Sequence, residues 1–149
     1  MTSIKTSHRI VTASWFTTLP LDHLRVSISR GIPRPAPAAG FRVYRKLAPD
    51  AWFNSVSTAE YLQRYRAEVL DLLDPRQVAD AIADMARGRV AVLLCFERPG
   101  SGAWCHRSIV ATWLAEATGQ PVPEVGFETL PQSAHPLLPP LQLALGAAP

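Results

Sequence analysis

The stretch Val90-Ala91-Val92-Leu93-Leu94-Cys95-Phe96, followed by Glu97-Arg98-Pro99-Gly100-Ser101-Gly102 and then Cys105-His106-Arg107-Ser108, decides how the chain is read. A continuously apolar run is what a strand covered on both faces of a parallel sheet requires. Pro99, Gly100 and Gly102 interrupt it, and Ile109, Val110, Trp113, Leu114 and Ala117 then recur at helical spacing until Gly119 and Pro121. The unit is a strand, a glycine-containing loop and a helix whose first turn carries a cysteine, a histidine and an arginine. Helix starts expose unpaired amides and the positive end of the macrodipole, so this turn favours an anion or a thiolate.

Outward from that unit, His8 to Phe16 reads as a first strand and Leu24 to Ser29 as a second, with a Leu19-Pro20 break between them. If both run parallel to the strand at Val90, their ends share an edge with Glu97 and Cys105, where open α/β sheets bind ligands. Ile32 to Pro49 is irregular, punctuated by Pro33, Pro35, Pro37 and Gly40; it reads as a loop over the site or as a connector. Ala51-Trp52-Phe53 reads as a short apolar anchor. Ser57-Thr58-Ala59-Glu60 fits a capping box ahead of Tyr61, Leu62, Tyr65, Val69 and Leu70 at helical spacing. Asp74-Pro75 opens another helix, with Val78, Ala81, Ile82 and Met85 as its apolar stripe before Gly88. Val122 to Glu128 is predicted as the last strand, Val125 and Phe127 alternating with polar or small neighbours. The expected architecture is one α/β domain over residues 1–130, a mostly parallel sheet flanked by helices. A proline-rich C-terminal tail over 131–149 is expected to pack along the body or to hold a partner.

A chain of 149 residues, 48% hydrophobic and 18% charged, suits a single core. No apolar run approaches the roughly 20 residues that span a bilayer, and Met1 to Arg9 lacks the apolar block of a signal peptide. A soluble cytoplasmic protein with no membrane contact is therefore expected, its two cysteines, Cys95 and Cys105, free thiols. Net charge is only +3, but Arg25, Arg30, Arg34, Arg42, Arg45 and Lys46 follow one another with no acid until Asp50. Such a segment suits phosphate.

Beside His106 and Arg107 at a helix start, the Cys105 thiol is expected to ionise below its usual range and to serve as a nucleophile. The blander reading makes Cys105 a packing residue and pairs Arg107 with Glu97 or Glu116. Arg107 offers a planar fork to a phosphate or carboxylate, and Ser108 adds a hydroxyl. Glu97 stands where it would orient His106 or Arg107, or act as a general base. Arg30, beside Gly31, is a candidate to share an anion with Arg107. Trp15 is a candidate stacking wall for a base, or closes the end of the core. The loop lacks the Gly-Lys-Ser/Thr ending of a P-loop. Ser101 and Ala111 stand where a cysteine phosphatase needs its arginine. Cys95 reads as core; with Cys105 and His106 it would lack a fourth ligand and any recognised metal spacing, so no metal and no cofactor is expected.

Val92-Leu93-Leu94-Cys95-Phe96-Glu97 followed by Cys105-His106-Arg107-Ser108 at a helix start closely resembles the signature of a widespread bacterial family, domain of unknown function 488. The segment Ser27-Ile28-Ser29-Arg30-Gly31-Ile32-Pro33 is similar to that family's Asp-Val-Arg-x-x-Pro segment, with Ser27 or Ser29 in place of the acid. The tyrosine-bearing helix at Tyr61 to Tyr65 extends the likeness, which covers most of residues 8–128. The resemblance implies a compact α/β fold and a site at Cys105, His106, Arg107, Glu97 and Arg30, with no established reaction. The leading expectation is binding of a phosphorylated ligand, nucleotide or nucleic-acid backbone at the Cys105 helix, with thiol-dependent catalysis as its extension. The alternative is a non-enzymatic nucleic-acid-binding module using the basic segment 25–46.

Overall fold

Four strands, β1 (Ile10–Ser14), β2 (His23–Ser27), β3 (Arg42–Val43) and β4 (Val90–Cys95), form one sheet in the order β1-β4-β2-β3 in the computed structural model. The structure describes residues 9–37 and 40–140. His8, at the head of the predicted first strand, and residues 141–149 of the predicted tail lie outside it. Every pairing is parallel, with Ser14 opposite Cys95 and Ser27 opposite Leu94. The strands that reading from the sequence brings to one edge therefore do end there. Between β3 and β4 lie α1 (Thr58–Glu68) and α2 (Pro75–Ala86), and after β4 comes α3 (His106–Thr118).

Alternation along β4 divides the core in two. Ala91, Leu93 and Cys95 join the larger cluster, which takes the buried residues of all three helices, including Tyr65, Ile82 and Leu114. Val92 and Leu94 point the other way, into a smaller cluster with Ala13 and Trp15, covered by Leu19, Ile32, Phe41 and Val125 from loops. Helices thus close one face of the sheet and irregular chain the other. This two-sided burial is why β4 tolerates no polar residue.

The helix boundaries follow their caps. Ser57 Oγ accepts from the Glu60 amide at 3.1 Å, and Asp74 Oδ1 from the amides of Arg76 and Gln77, with Pro75 in the first turn. Gly119, at φ 72°, ends α3 in the left-handed conformation that glycine adopts without steric cost. The predicted anchor forms a short 3-10 turn, Ala51–Asn54, whose Trp52 ring packs edge-on against Tyr61 at 5.1 Å.

Two expectations change. Val122 to Glu128 is no strand: only Glu124 bridges to β1, Thr12 donating to Pro123 O and Val125 to Thr12 O, both at 2.9 Å. Pro121 and Pro123 supply no amide hydrogen, and Gly126 (φ 90°) turns the chain away. The burial phase is also the reverse of the predicted one, for Val122 and Glu124 face inward while Phe127 is exposed. The described part of the tail packs along the body: Leu137 is fully buried, and Gln132 bonds both backbone groups of Val122 at 2.8 and 2.9 Å. Among the described residues no helix is long and apolar enough to cross a membrane.

Candidate functional site

At the edge where the parallel strands end, a cavity of about 240 Å³ has Cys95, Cys105, His106, Glu97 and Arg30 in its lining, with Phe53, Tyr61, Phe96 and Trp104 as aromatic walls. Strand β4 delivers Cys95 and Glu97, the start of α3 delivers Cys105 and His106, and the turn after β2 delivers Arg30. Three of the residues singled out as catalytic, Cys105, His106 and Glu97, thus share one space with Arg30.

The histidine is held from several sides. Its Nε2 lies 2.8 Å from Ile28 O, a carbonyl that can only accept, so the ring proton sits on Nε2. Nδ1 is left as the acceptor, 3.6 Å from Cys95 Sγ and 3.9 Å from Cys105 Sγ, and Cys95 Sγ lies beside both ring nitrogens, 3.8 Å from Nε2. Tyr65 packs edge-on against the imidazole at 5.4 Å, its own hydroxyl fixed on Leu47 O at 2.6 Å. Ile28 O and the sulfurs thereby fill the orienting role expected of Glu97. Cys95, assigned to the core by its apolar neighbours, belongs to both core and site. The signal that could have found it is its place as the last residue of β4, one pleat repeat before Glu97 on the same face.

Cys105 caps α3, its Sγ accepting from the Arg107 amide at 3.4 Å. That bond and the helix dipole favour a thiolate, yet burial outweighs them: it is the largest influence and pushes the Cys105 thiol well above its usual range, with Cys95 adding to the rise and His106 opposing it. Burial therefore opposes the activation of Cys105 that the helix start alone suggests.

Three further expectations shift. Arg107 does not face the cavity; its Nε and Nη2 grip Glu124 at 2.9 and 2.7 Å, with both side chains sealed from water. A guanidinium buried this deeply requires a carboxylate, and the chain at 122–125 supplies one. Glu124 also accepts from Thr12 Oγ1 at 2.7 Å, which lies 2.8 Å from His135 Nε2; the Leu137 amide donates to Nδ1 of that ring at 3.1 Å. Arg107 Nη1 alone has no partner among the described residues. Ser108 Oγ donates to Cys105 O at 2.8 Å, a bond within the helix start. Trp15 is fully buried in the smaller core, edge-on to Phe41 at 5.2 Å and with Nε1 directed to Ser29 Oγ at 3.3 Å, so it closes the core and offers no stacking wall. The network of Thr12, Glu124 and His135 is not legible in the sequence because Thr12 lies more than a hundred residues from both of the others.

Arg30 remains half exposed, 3.3 Å from Pro49 O and 3.8 Å from Asp50. It also lines a second depression of about 310 Å³, which adds Arg45 and Lys46 together with Asp50 and Glu68. The basic segment is divided, because Arg25 donates to Trp15 O and Thr17 O at 3.0 and 2.9 Å while Arg34, Arg42, Arg45 and Lys46 stand exposed.

The family described as DUF488-N3a, the active DUF488-N3 subclade, matches residues 9–118. The chain belongs to the DUF488 family. The matched span runs from the start of β1 to the end of α3, and so contains every residue of the cavity, whereas Glu124, His135 and Leu137 lie beyond it. No match is found among curated proteins or among solved structures.

Proposed function

We propose that this DUF488 protein binds a phosphorylated ligand of nucleotide class, with the ring between the aromatic walls of the cavity and the phosphate at Arg30. The observation that carries the reading is the shared position of Arg30: its side chain lines both the cavity above Cys95, Cys105 and His106 and the depression holding Arg45 and Lys46. One ligand can then meet a cation, flat apolar walls and a sulfur–imidazole floor together. Ligand sites typically combine such apolar walls with a few converging polar groups. Arg30 replaces Arg107 as the cation of this reading, since Arg107 is engaged with Glu124. The family description names an active subclade, which supports chemistry at the floor in addition to binding.

Isothermal titration with adenosine monophosphate, ribose 5-phosphate and inorganic phosphate tests it. The nucleotide should bind tightest, and Arg30→Ala should weaken it by about tenfold to a hundredfold, as loss of a charge-assisted hydrogen bond implies. No binding of any of the three would overturn the reading. Binding of a DNA oligonucleotide that is steeply salt-dependent but indifferent to Arg30→Ala would move the function to the exposed cations of the basic segment.

A further inference from the structure

We propose that Cys95, Cys105 and His106 form a three-ligand site for a thiophilic divalent cation, zinc by ligand class, whose fourth position faces the Arg30 cavity. The inference goes beyond nucleotide binding and does not depend on it. All three side chains are buried, and their ligand atoms lie within 4.8 Å of one another. A tetrahedral zinc, with Zn–S of about 2.3 Å and Zn–N of about 2.0–2.1 Å, sets sulfur and nitrogen ligands roughly 3.5–3.8 Å apart. The distances from His106 Nδ1 to the two sulfurs, 3.6 and 3.9 Å, already approach that spacing. Coordination requires the side chains to turn so that Cys95 Sγ, now beside both ring nitrogens, meets the metal opposite the Nδ1 lone pair, with no movement of the backbone elements that carry them.

The surroundings match what metal ligands need. A coordinating imidazole usually donates its other N–H to a carbonyl or carboxylate, which fixes tautomer and ring plane. His106 does so through Nε2 to Ile28 O, leaving Nδ1 free to coordinate; it is the ring nitrogen nearer Cys95 Sγ, 3.6 against 3.8 Å, and lies 3.9 Å from Cys105 Sγ. Cys105 Sγ already accepts the Arg107 amide, a bond that strengthens as the sulfur gains charge. Charge balance points the same way. Two thiolates side by side in a dry site repel one another, whereas a divalent cation with two thiolates and one imidazole is neutral overall. The nearby guanidinium is unavailable for that balance because Glu124 already neutralises it. Three protein ligands with a fourth position open to a cavity is the arrangement of catalytic zinc, where the metal polarises a ligand oxygen or bound water.

The test uses the full-length protein, reduced and chelator-stripped, titrated anaerobically with cobalt(II) chloride. One equivalent should bind, giving a sulfur-to-cobalt charge-transfer band that zinc sulfate abolishes. Because both thiols lose protons on binding, affinity should rise with pH by up to about a hundredfold per unit below the thiol range. Cys95→Ala and His106→Gln should each weaken binding by about a hundredfold or more, with circular dichroism confirming the fold. A readout without variants is also at hand: zinc should protect both cysteines from Ellman's reagent, and the chain has only these two. Three results would overturn the proposal: no charge-transfer band in reduced protein, unchanged affinity in folded Cys95→Ala, or no protection of the thiols by zinc.

Discussion

A guanidinium sealed from water at Arg107 would cost several kcal/mol without a counter-charge, and Glu124 removes that cost. Burial alone would raise the Glu124 carboxyl; the hydrogen bonds from His135, Arg107 and Thr12 together with the charge of Arg107 prevail and hold it down to about 2. A carboxyl depressed on folding stabilises the native state above its unfolded value of about 4.3 and loses that contribution as the pH falls toward the folded value. Stability should therefore decline from about pH 4.5 to pH 2, by roughly 3 kcal/mol from this group. Glu124→Gln should cost about 3–5 kcal/mol at pH 7, since it strands the buried cation, and should flatten the acid decline. Urea unfolding of both proteins across this range checks the pair, and an equal acid slope in the variant would contradict the assignment. Residue identity made Arg107 conspicuous in the sequence, but not its partner. Glu97 and Glu116 are nearer along the chain, and only the bridge to β1 turns Glu124 inward.

The first turn of α3 is held from outside the helix as well as from within. Cys105, its cap, donates its own amide to Leu137 O at 3.0 Å, and Leu137 inserts fully into the larger core. The chain after Glu124 thus works as a strap beneath the site. Leu137→Ala should cost about 2–5 kcal/mol, as truncation of a buried leucine does. Hydrogen exchange at the Cys105 amide should accelerate by more than that global loss explains, because the strap would open locally. Equal acceleration at every protected amide would mean that the strap has no local role. The three main helices and β4 were legible in the sequence because caps, periodicity and an apolar run all agree there. The strap and β3 were not. Proline-rich composition says only that a segment is not helical, and β3 is a two-residue strand inside an irregular loop, held by register with Val26 and Ser27.

At the scale of the whole molecule, parallel pairing is what gathers the chemistry. It sends the ends of β1, β2 and β4 to one edge, and the residues just beyond them, Arg30 and Glu97, meet the start of α3 there. Strand direction makes that edge legible in the sequence, but burial is not, so in the sequence Arg107 reads as a ligand-facing cation and Cys95 as core alone. The placement of the two depressions on either side of Arg30 has a consequence for ligand length. On the nucleotide reading proposed above, a monophosphate would reach Arg30 from the aromatic cavity and a second phosphate would extend toward Arg45 and Lys46. A ligand that binds only the folded state at a hundred times its Kd adds about 2.7 kcal/mol of stability. For a chain of this size that raises Tm by about 5–10 °C. At equal concentration adenosine diphosphate should therefore raise Tm more than adenosine monophosphate, and Lys46→Ala should remove the difference while leaving the monophosphate shift in place. Lys46 is exposed, so the increment should also shrink with added salt, as screening requires. Equal shifts for the two nucleotides in wild type would confine the ligand to the cavity above His106 and detach the second depression from its binding.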